Sequence, residues 1–109
     1  MAYIYILACV LLAAPPSGVR ITDSGLTSNT VKLGTTTTLG CSASGTDPFV
    51  YQWRHNSTII PAATSSTYRI SSVEFSDAGR YTCQVSNLVG NDWGSYTLNV
   101  QGKVDAMYL

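Results

Sequence analysis

The stretch that decides the fold is DAGRYTCQV, residues 77–85. In its second half the apolar residues Tyr81, Cys83 and Val85 alternate with polar residues. An alternation with a period of two is the pattern of a β-strand that buries one face and leaves the other in water. This segment therefore predicts a strand whose inward face carries a cysteine.

The same alternation recurs in three other segments of the chain. From residue 19 onward no segment shows an apolar period of 3.6 residues, so the sequence predicts an all-β protein. Short strands with one apolar and one polar face are typical of a sandwich of two antiparallel sheets. The inward residues of these segments are Thr37, Leu39, Cys41 and Ala43, then Phe49, Tyr51 and Trp53, and finally Tyr96, Leu98 and Val100.

An uncharged run, AYIYILACVLLAA at residues 2–14, precedes the predicted strands and is followed by two prolines. It has the composition of a secretory signal peptide, and it is shorter than the roughly 20 apolar residues of a membrane-spanning helix. We therefore expect a signal peptide over residues 1–18, cut between Ala14 and Gly18, and no membrane span in this chain. The alternative is a buried N-terminal strand or helix of the domain itself.

Removal of the leader leaves a predicted domain over residues 19–101, with residues 102–109 as a C-terminal tail or the start of a linker. Cys9 is lost with the leader, so the domain retains Cys41 and Cys83. A pair of cysteines in a protein exported to an oxidising compartment predicts a disulfide. Closing a loop of about 43 residues stabilises a fold by roughly 4 kcal/mol in the chain-entropy account.

The spacing of Cys41, Trp53 and Cys83 resembles that of the immunoglobulin superfamily, and residues 77–83 are similar to its D-x-G-x-Y-x-C signature. The resemblance extends over residues 19–100 and is strongest to the intermediate (I-set) subtype. It implies a Greek-key sandwich of two antiparallel sheets joined by one inter-sheet disulfide.

In this family the core signature, here Trp53, Asp77, Gly79 and Tyr81, has a structural role. The resemblance implies that Asp77 fixes the turn before strand F and that Tyr81 forms a tyrosine corner. Only 17 residues separate Trp53 from Ile70, a short segment that is similar to Fc-receptor-like domains. We expect strand D to be abbreviated or absent.

Few groups are available for catalysis. The chain of 109 residues has six basic and six acidic side chains, with His55 as its only histidine and Glu74 as its only glutamate. These groups make up neither a metal-ligand cluster nor a nucleophile motif, so we expect no enzyme activity, no metal and no cofactor. A formal charge of zero without a Lys/Arg cluster also argues against nucleic acid as a partner.

The triplet Asn56-Ser57-Thr58 is the one N-glycosylation sequon of the chain. It falls in the turn predicted after strand C, where an asparagine is exposed. We therefore expect a glycan on Asn56. The alternative is an unmodified turn asparagine.

Strands C, F and G of this family correspond to residues near 49–54, 81–85 and 96–100. Their alternation assigns an outward face that is mostly polar, and we take four of its members as partner-binding residues: Trp93, Gln52, Arg54 and Gln84. The other members are Val50, Thr82, Ser95 and Thr97.

Trp93 is expected in the F–G connection, after Asn91-Asp92 and before Gly94. It is either an exposed interface tryptophan or a side chain that packs on the sheet edge, on Arg80 or on Pro48. With no excess charge on the chain, we expect association to depend little on salt.

Together these features predict an extracellular recognition or adhesion module that binds through the C–F–G face and the F–G loop. The partner is a protein ligand or a cell-surface receptor, or a second copy of the chain in a homophilic dimer. The protein is secreted, or at the cell surface if this domain is the first of a longer receptor. The alternative is a free single-domain immune-type or decoy protein.

Overall fold

The computed structural model describes residues 12–24 and 28–102. Within them the chain forms strands and one 3-10 turn over Phe75–Asp77. The strands are β1 (Ser17–Asp23), β2 (Thr30–Lys32), β3 (Thr37–Ser44), β4 (Val50–His55), β5 (Thr58–Ile59), β6 (Thr67–Ile70), β7 (Gly79–Asn87) and β8 (Gly90–Gln101).

These strands form two sheets. One has the order β1-β3-β6 and the other has the order β2-β8-β7-β4-β5. Neighbouring strands are antiparallel, except that β2 pairs with β8 in parallel. The predicted all-β sandwich is confirmed, and β4, β7 and β8 correspond to strands C, F and G.

The segment from β4 to β6, which leads from one sheet to the other, is short, as predicted. β5 has two residues, and residues 60–66, all of them described, contain no strand before β6 begins. This segment bonds to both sheets, since the backbone N–H of Trp53 donates to the carbonyl of Ala63 at 3.1 Å and that of Cys41 donates to the carbonyl of Ser66 at 2.7 Å. These bonds replace the pairing that a strand D provides.

The core lies between the sheets and is built on Trp53, which is fully buried. The indole N–H of Trp53 donates to the carbonyl of Ser65 at 2.8 Å, so its one polar group is satisfied. Cys41 on β3 and Cys83 on β7 form the disulfide that joins the two sheets, with their Cα atoms 6.5 Å apart. Leu39, Val73, Tyr81, Val85 and Leu98 complete the most deeply buried set.

The turn before β7 is held by the residues that the family resemblance indicated. The Tyr81 hydroxyl donates to the backbone carbonyl of Asp77 at 2.6 Å, and Tyr81 itself is buried. The Asp77 carboxylate accepts from the backbone N–H of Glu74 at 2.8 Å. Asp77 is therefore a turn-forming residue.

The sandwich begins earlier in the chain than the predicted boundary at residue 19. Ser17 pairs with Ser44 at the start of β1, and Pro16 is buried. Both residues contact the sheet although the predicted division assigns them to the leader, and the division itself stays a prediction. The predicted end at residue 101 coincides with the end of β8, while residues 1–11 and 103–109 lie outside the described part of the chain.

Candidate functional site

The outer face of the β4-β7-β8 sheet is the surface on which the predicted binding residues lie. The register pairs Gln52 with Gln84 and Gln84 with Trp93, and in the next row Arg54 with Thr82 and Thr82 with Ser95. The predicted alternation is thus confirmed. We call this surface the outer face; its residues are Val50, Gln52, Arg54, Arg80, Thr82, Gln84, Ser86, Asn91, Trp93, Ser95, Thr97 and Asn99.

Trp93 lies within strand β8 and not in the F–G connection, so that prediction was wrong. The connection is a turn of two residues, Leu88 and Val89. The side-chain oxygen of Asn87 accepts from the backbone N–H groups of Val89 and Gly90 at 3.0 and 3.1 Å. Because this side chain closes the turn so tightly, β8 starts at Gly90 and includes the residues that had been assigned to a loop.

The indole ring of Trp93 stacks with a guanidinium. The Arg54 Cζ atom lies 4.6 Å from the centroid of the Trp93 ring, and Trp93 remains 46% exposed. Arg54 Nη1 also donates to Gln84 Oε1 at 3.1 Å. Three of the four predicted binding residues therefore form one cluster, in which the guanidinium fixes the ring while part of the indole stays open to solvent.

Gln52 has a different environment from the other three. Its side-chain Nε2 donates to the backbone carbonyls of Trp53, Ile60 and Ala63 at 3.0, 3.2 and 3.3 Å. The amide therefore holds the segment after β5 against β4. Its donor group is occupied within the domain, and a role of Gln52 in binding a partner stays a prediction.

Arg80 is a member of the outer face that the sequence analysis did not select. Its Nε and Nη2 atoms donate to the Ser95 hydroxyl at 3.3 and 3.1 Å. Ser95 lies two residues beyond Trp93 on the same face, so Arg80 brings a second guanidinium to the Trp93 cluster. The alternation that placed Thr82 and Gln84 outward also applies to Arg80.

Apolar side chains border this cluster. Val50 on β4 is 64% exposed, and Ile59 on β5, which pairs with Arg54, is 52% exposed. At the β7-β8 turn Leu88 and Val89 are also exposed. The surface therefore combines apolar area with guanidinium groups around one tryptophan.

Asn56, the sequon asparagine, lies in the two-residue turn between β4 and β5. Asn56 and Ser57 have φ values of 49° and 71°, the conformation of a type I′ hairpin turn. The Asn56 Oδ1 atom accepts from the backbone N–H of Arg80 at 3.0 Å, and the residue is exposed. Glycosylation of Asn56 stays a prediction.

The His55 side chain makes its contacts within the domain. Its ring stacks on that of Tyr81 with centroids 4.4 Å apart, and its Nε2 atom lies 2.9 Å from the carbonyl oxygen of Ala78. Among the described residues there is no cluster of three or more His, Cys, Asp or Glu side chains that could hold a metal ion. In the same part of the chain no helix has the length and apolar content to cross a membrane.

A polar network that the sequence analysis missed ties the two sheets together. The Tyr96 hydroxyl donates to Asp23 Oδ2 at 2.8 Å, and the Thr37 hydroxyl donates to Asp23 Oδ1. Burial, the hydrogen bond to Asp23 and its negative charge raise the pKa of Tyr96 above its ordinary range. This network stabilises the sandwich and lies away from the outer face.

Two facing sheets, an inter-sheet disulfide, a buried tryptophan and a tyrosine corner define the class of disulfide-linked immunoglobulin-type sandwiches. The chain belongs to the immunoglobulin domain family, whose model matches residues 15–87.

Curated relatives of the chain are much longer proteins. It is 32% identical over 93 residues to mouse hemicentin-1, which covers 79% of this chain and 2% of the relative. It is 37% identical over 67 residues to the mouse basement membrane-specific heparan sulfate proteoglycan core protein, covering 59% and 2%. The chain thus spans about 2% of the length of each of these relatives.

Solved structures of other immunoglobulin domains are similar to this one. The full ectodomain of mouse nectin-like molecule 4 has a TM-score of 0.70 at 26% identity, covering 84% of this chain and 32% of that chain. An I-band fragment of titin has a TM-score of 0.67 at 28% identity, covering 82% and 33%. The immunoglobulin domain family is non-enzymatic, and this chain is a binding or structural domain of that family.

Proposed function

We propose that the chain is an extracellular protein-recognition or adhesion module that binds a protein partner through the outer face of β4, β7 and β8. The observation that carries this proposal is the half-exposed Trp93, which stacks against Arg54 on the β8 side of that face. A tryptophan offers a large rigid apolar area and one hydrogen-bond donor, which are the properties of interface hot spots.

The ring has a stacking partner within the domain before any other protein binds. Arg54 stacks on the indole and also donates a hydrogen bond to Gln84. Gln84 therefore holds the guanidinium in the position where it covers the ring of Trp93. Ordering a free side chain on binding costs about 0.5–1.5 kcal/mol, and an ordered one avoids that cost. The exposed Val50 and Ile59 extend the apolar area beside it.

An extracellular location is supported by the relatives whose names carry a location. One is a basement membrane proteoglycan core protein and another is an ectodomain. The inter-sheet disulfide of Cys41 and Cys83 fits an oxidising compartment. We propose that the domain works outside the cell, either secreted or as part of a longer cell-surface or matrix protein.

The test is a binding screen of the full chain, secreted from eukaryotic cells and multimerised for avidity, against a panel of extracellular proteins. We expect a specific binder whose affinity falls at least about tenfold for Trp93→Ala. The matched control is Arg69→Ala, since Arg69 is an exposed residue of β6 in the other sheet. A binder that is indifferent to Trp93→Ala would contradict the proposed face, and an unchanged melting temperature would show that the loss is not a folding defect.

A further inference from the structure

The charge on the outer face differs from that of the whole chain. The chain as a whole has six basic and six acidic side chains. By the strand register, the twelve positions of the outer face include Arg54 and Arg80 and no Asp or Glu. Asp92, the acidic residue within β8, pairs with the buried Val85 and lies on the inward side of the sheet.

Among residues 12–24 and 28–102, neither arginine uses its full hydrogen-bonding capacity. A guanidinium has five N–H donors. Arg54 donates one bond, to Gln84, and Arg80 donates two, both to Ser95. These acceptors are neutral, so both positive charges remain uncompensated by the contacts that hold the side chains in place.

We infer that the partner presents an acidic protein surface, with a carboxylate seated between Arg54 and Arg80 and an apolar side chain packed on Trp93. This inference rests on the proposed function and specifies its partner. Arginine forks bind carboxylates through paired N–H···O bonds, which are stronger than neutral hydrogen bonds. Both guanidiniums are held in place by neighbouring side chains, so the site is organised for such a group before binding.

A second copy of the chain fits this face poorly. A two-fold dimer through the outer face would bring the same patch together from both subunits. Arg54 and Arg80 would then face a patch that also carries two arginines and has no carboxylate among its outer-face positions. Like charges across an interface disfavour association. A heterophilic acidic partner is therefore favoured over the homophilic dimer that the sequence left open.

The same charges alter the expected response to salt. Net neutrality suggested an association that is insensitive to ionic strength. Two guanidiniums on one face that have no acidic partner among the described residues instead attract an acidic surface during diffusional encounter, an effect that salt screens. The association rate should therefore fall as ionic strength rises, although the chain has no net charge.

The experiment compares four variants of the full chain against the binder found with Trp93: Arg54→Glu, Arg80→Glu, Arg80→Gln and the control Arg69→Glu. Arg69→Glu makes the same charge change on the exposed β6 of the opposite sheet. Each glutamate on the outer face should lower affinity at least about tenfold and reduce the salt dependence of the association rate, while Arg80→Gln has a smaller effect. Arg69→Glu should change affinity less than about twofold.

The outcomes separate the two proposals. If Trp93→Ala abolishes binding but both outer-face glutamates leave it unchanged, the acidic-partner inference is wrong and the proposed function stands. An equal loss for Arg69→Glu would mean that total charge matters and not this face, which overturns the inference. If sedimentation shows dimers that disappear with Trp93→Ala, the face pairs with a second copy and the acidic-partner inference is wrong. A panel without any binder would count against both proposals. Melting temperatures and near-UV circular dichroism confirm that each variant is folded, and Arg80→Glu tests the idea without touching the Arg54–Trp93 stack.

Discussion

The side-chain oxygen of Asn56 accepts a hydrogen bond from the backbone N–H of Arg80, so the turn between β4 and β5 is tied to the start of β7. The amide lies directly over Gly79, where an added Cβ atom would be 2.5 Å from Asn56 Oδ1. Gly79 has a φ of 132°, a conformation that other residues rarely adopt. The one sequon asparagine is therefore also a structural residue.

The structural and glycosylation roles of Asn56 can be separated with two variants. Thr58→Val removes the sequon but keeps the amide, whereas Asn56→Gln removes both the glycan and the bond to Arg80. In protein from a host without N-glycosylation, Asn56→Gln should lose about 1–2 kcal/mol of unfolding free energy, because it loses one bond and because asparagine suits the positive φ better. Thr58→Val should stay close to wild type.

In a eukaryotic secretory host the wild-type protein should shift in mass on peptide-N-glycosidase treatment, and neither variant should. Equal stability of the two unglycosylated variants would contradict the structural role of Asn56. A wild-type protein without a mass shift would contradict the glycan.

Tyr81→Phe tests the tyrosine corner. The change removes the donor to the Asp77 carbonyl without altering the packing of the ring, and it leaves a part-buried carbonyl without that bond. We expect a loss of about 1–2 kcal/mol in urea unfolding. Tyr51→Phe is the matched control, since the half-buried Tyr51 hydroxyl has no hydrogen-bond partner among the described residues. Equal effects of the two changes would show that the Asp77 bond contributes nothing specific.

The core could be predicted from the sequence because the alternation of apolar and polar residues shows which side chains of each strand are buried. Alternation alone places Cys41, Trp53 and Cys83 on inward faces, and the structure buries all of them. The signature residues Asp77 and Tyr81 form a contact local in sequence, four residues apart, which a motif captures directly. For these positions the local pattern and the tertiary structure agree.

The arrangement around Trp93 could not be predicted in the same way, because it depends on the register between strands. Asn91, Asp92 and Gly94 are typical turn residues, so they suggest a loop, although the structure places all three in β8. The stack on Arg54 requires a turn of exactly two residues at Leu88-Val89. Alternation places Trp93 on the outward face, but it does not say which residues of β4 and β7 lie beside Trp93, and that register brings Arg54 and Gln84 to the ring. The sequence feature that indicates this tight turn is the pair Asn87 and Gly90, because both residue types favour turns.

Alkaline pH should destabilise the fold through the hydroxyls of the buried Tyr81 and the half-buried Tyr96. Burial is the largest cause that raises the pKa of both Tyr81 and Tyr96, with the charge of Asp77 acting on the first and the bond to Asp23 on the second. An unfolded tyrosine titrates near pH 10. Below that value both states are protonated and the stabilisation is complete; above it the unfolded chain loses protons first, so stability falls as pH rises.

This pH dependence is measured as the urea midpoint between about pH 8 and pH 11. We expect a decline that begins near pH 10 and is shallower in Tyr96→Phe than in wild type. As a control, free thiols are assayed in each sample, and their absence shows that the disulfide stays intact over this pH range. A decline of the same steepness in the double variant Tyr81→Phe, Tyr96→Phe would show that other groups cause it.

The residues before β1 form a clip that joins the two loops at one end of the sandwich. The Ala14 carbonyl accepts from the Asn87 side-chain amide at 2.7 Å and from the Thr46 backbone N–H at 3.1 Å, and the Ala14 N–H donates to the Thr46 hydroxyl at 2.9 Å. Pro15 lies over Gly90, where an added Cβ atom would be 2.8 Å from the proline Cβ. A leader cut between Ala14 and Gly18 would remove these contacts wholly or in part.

We therefore predict that a secreted form of this chain retains Ala14 and Pro15, which places any leader cleavage before Ala14. A version that starts at Val19 should lose at least about 2–3 kcal/mol of stability, since it lacks the three hydrogen bonds of Ala14, at about 1 kcal/mol each, and also the Ser17–Ser44 pair and the buried Pro16. In the longer form, Gly90→Ala should cause part of the same loss of stability, because the added methyl group displaces Pro15. In the version from Val19, which has no Pro15, the same substitution should cost less stability. N-terminal mass analysis of the secreted protein and urea unfolding measure both effects. A mature chain that begins at Ser17 or later, with stability equal to that of the longer form, would show that the clip is dispensable.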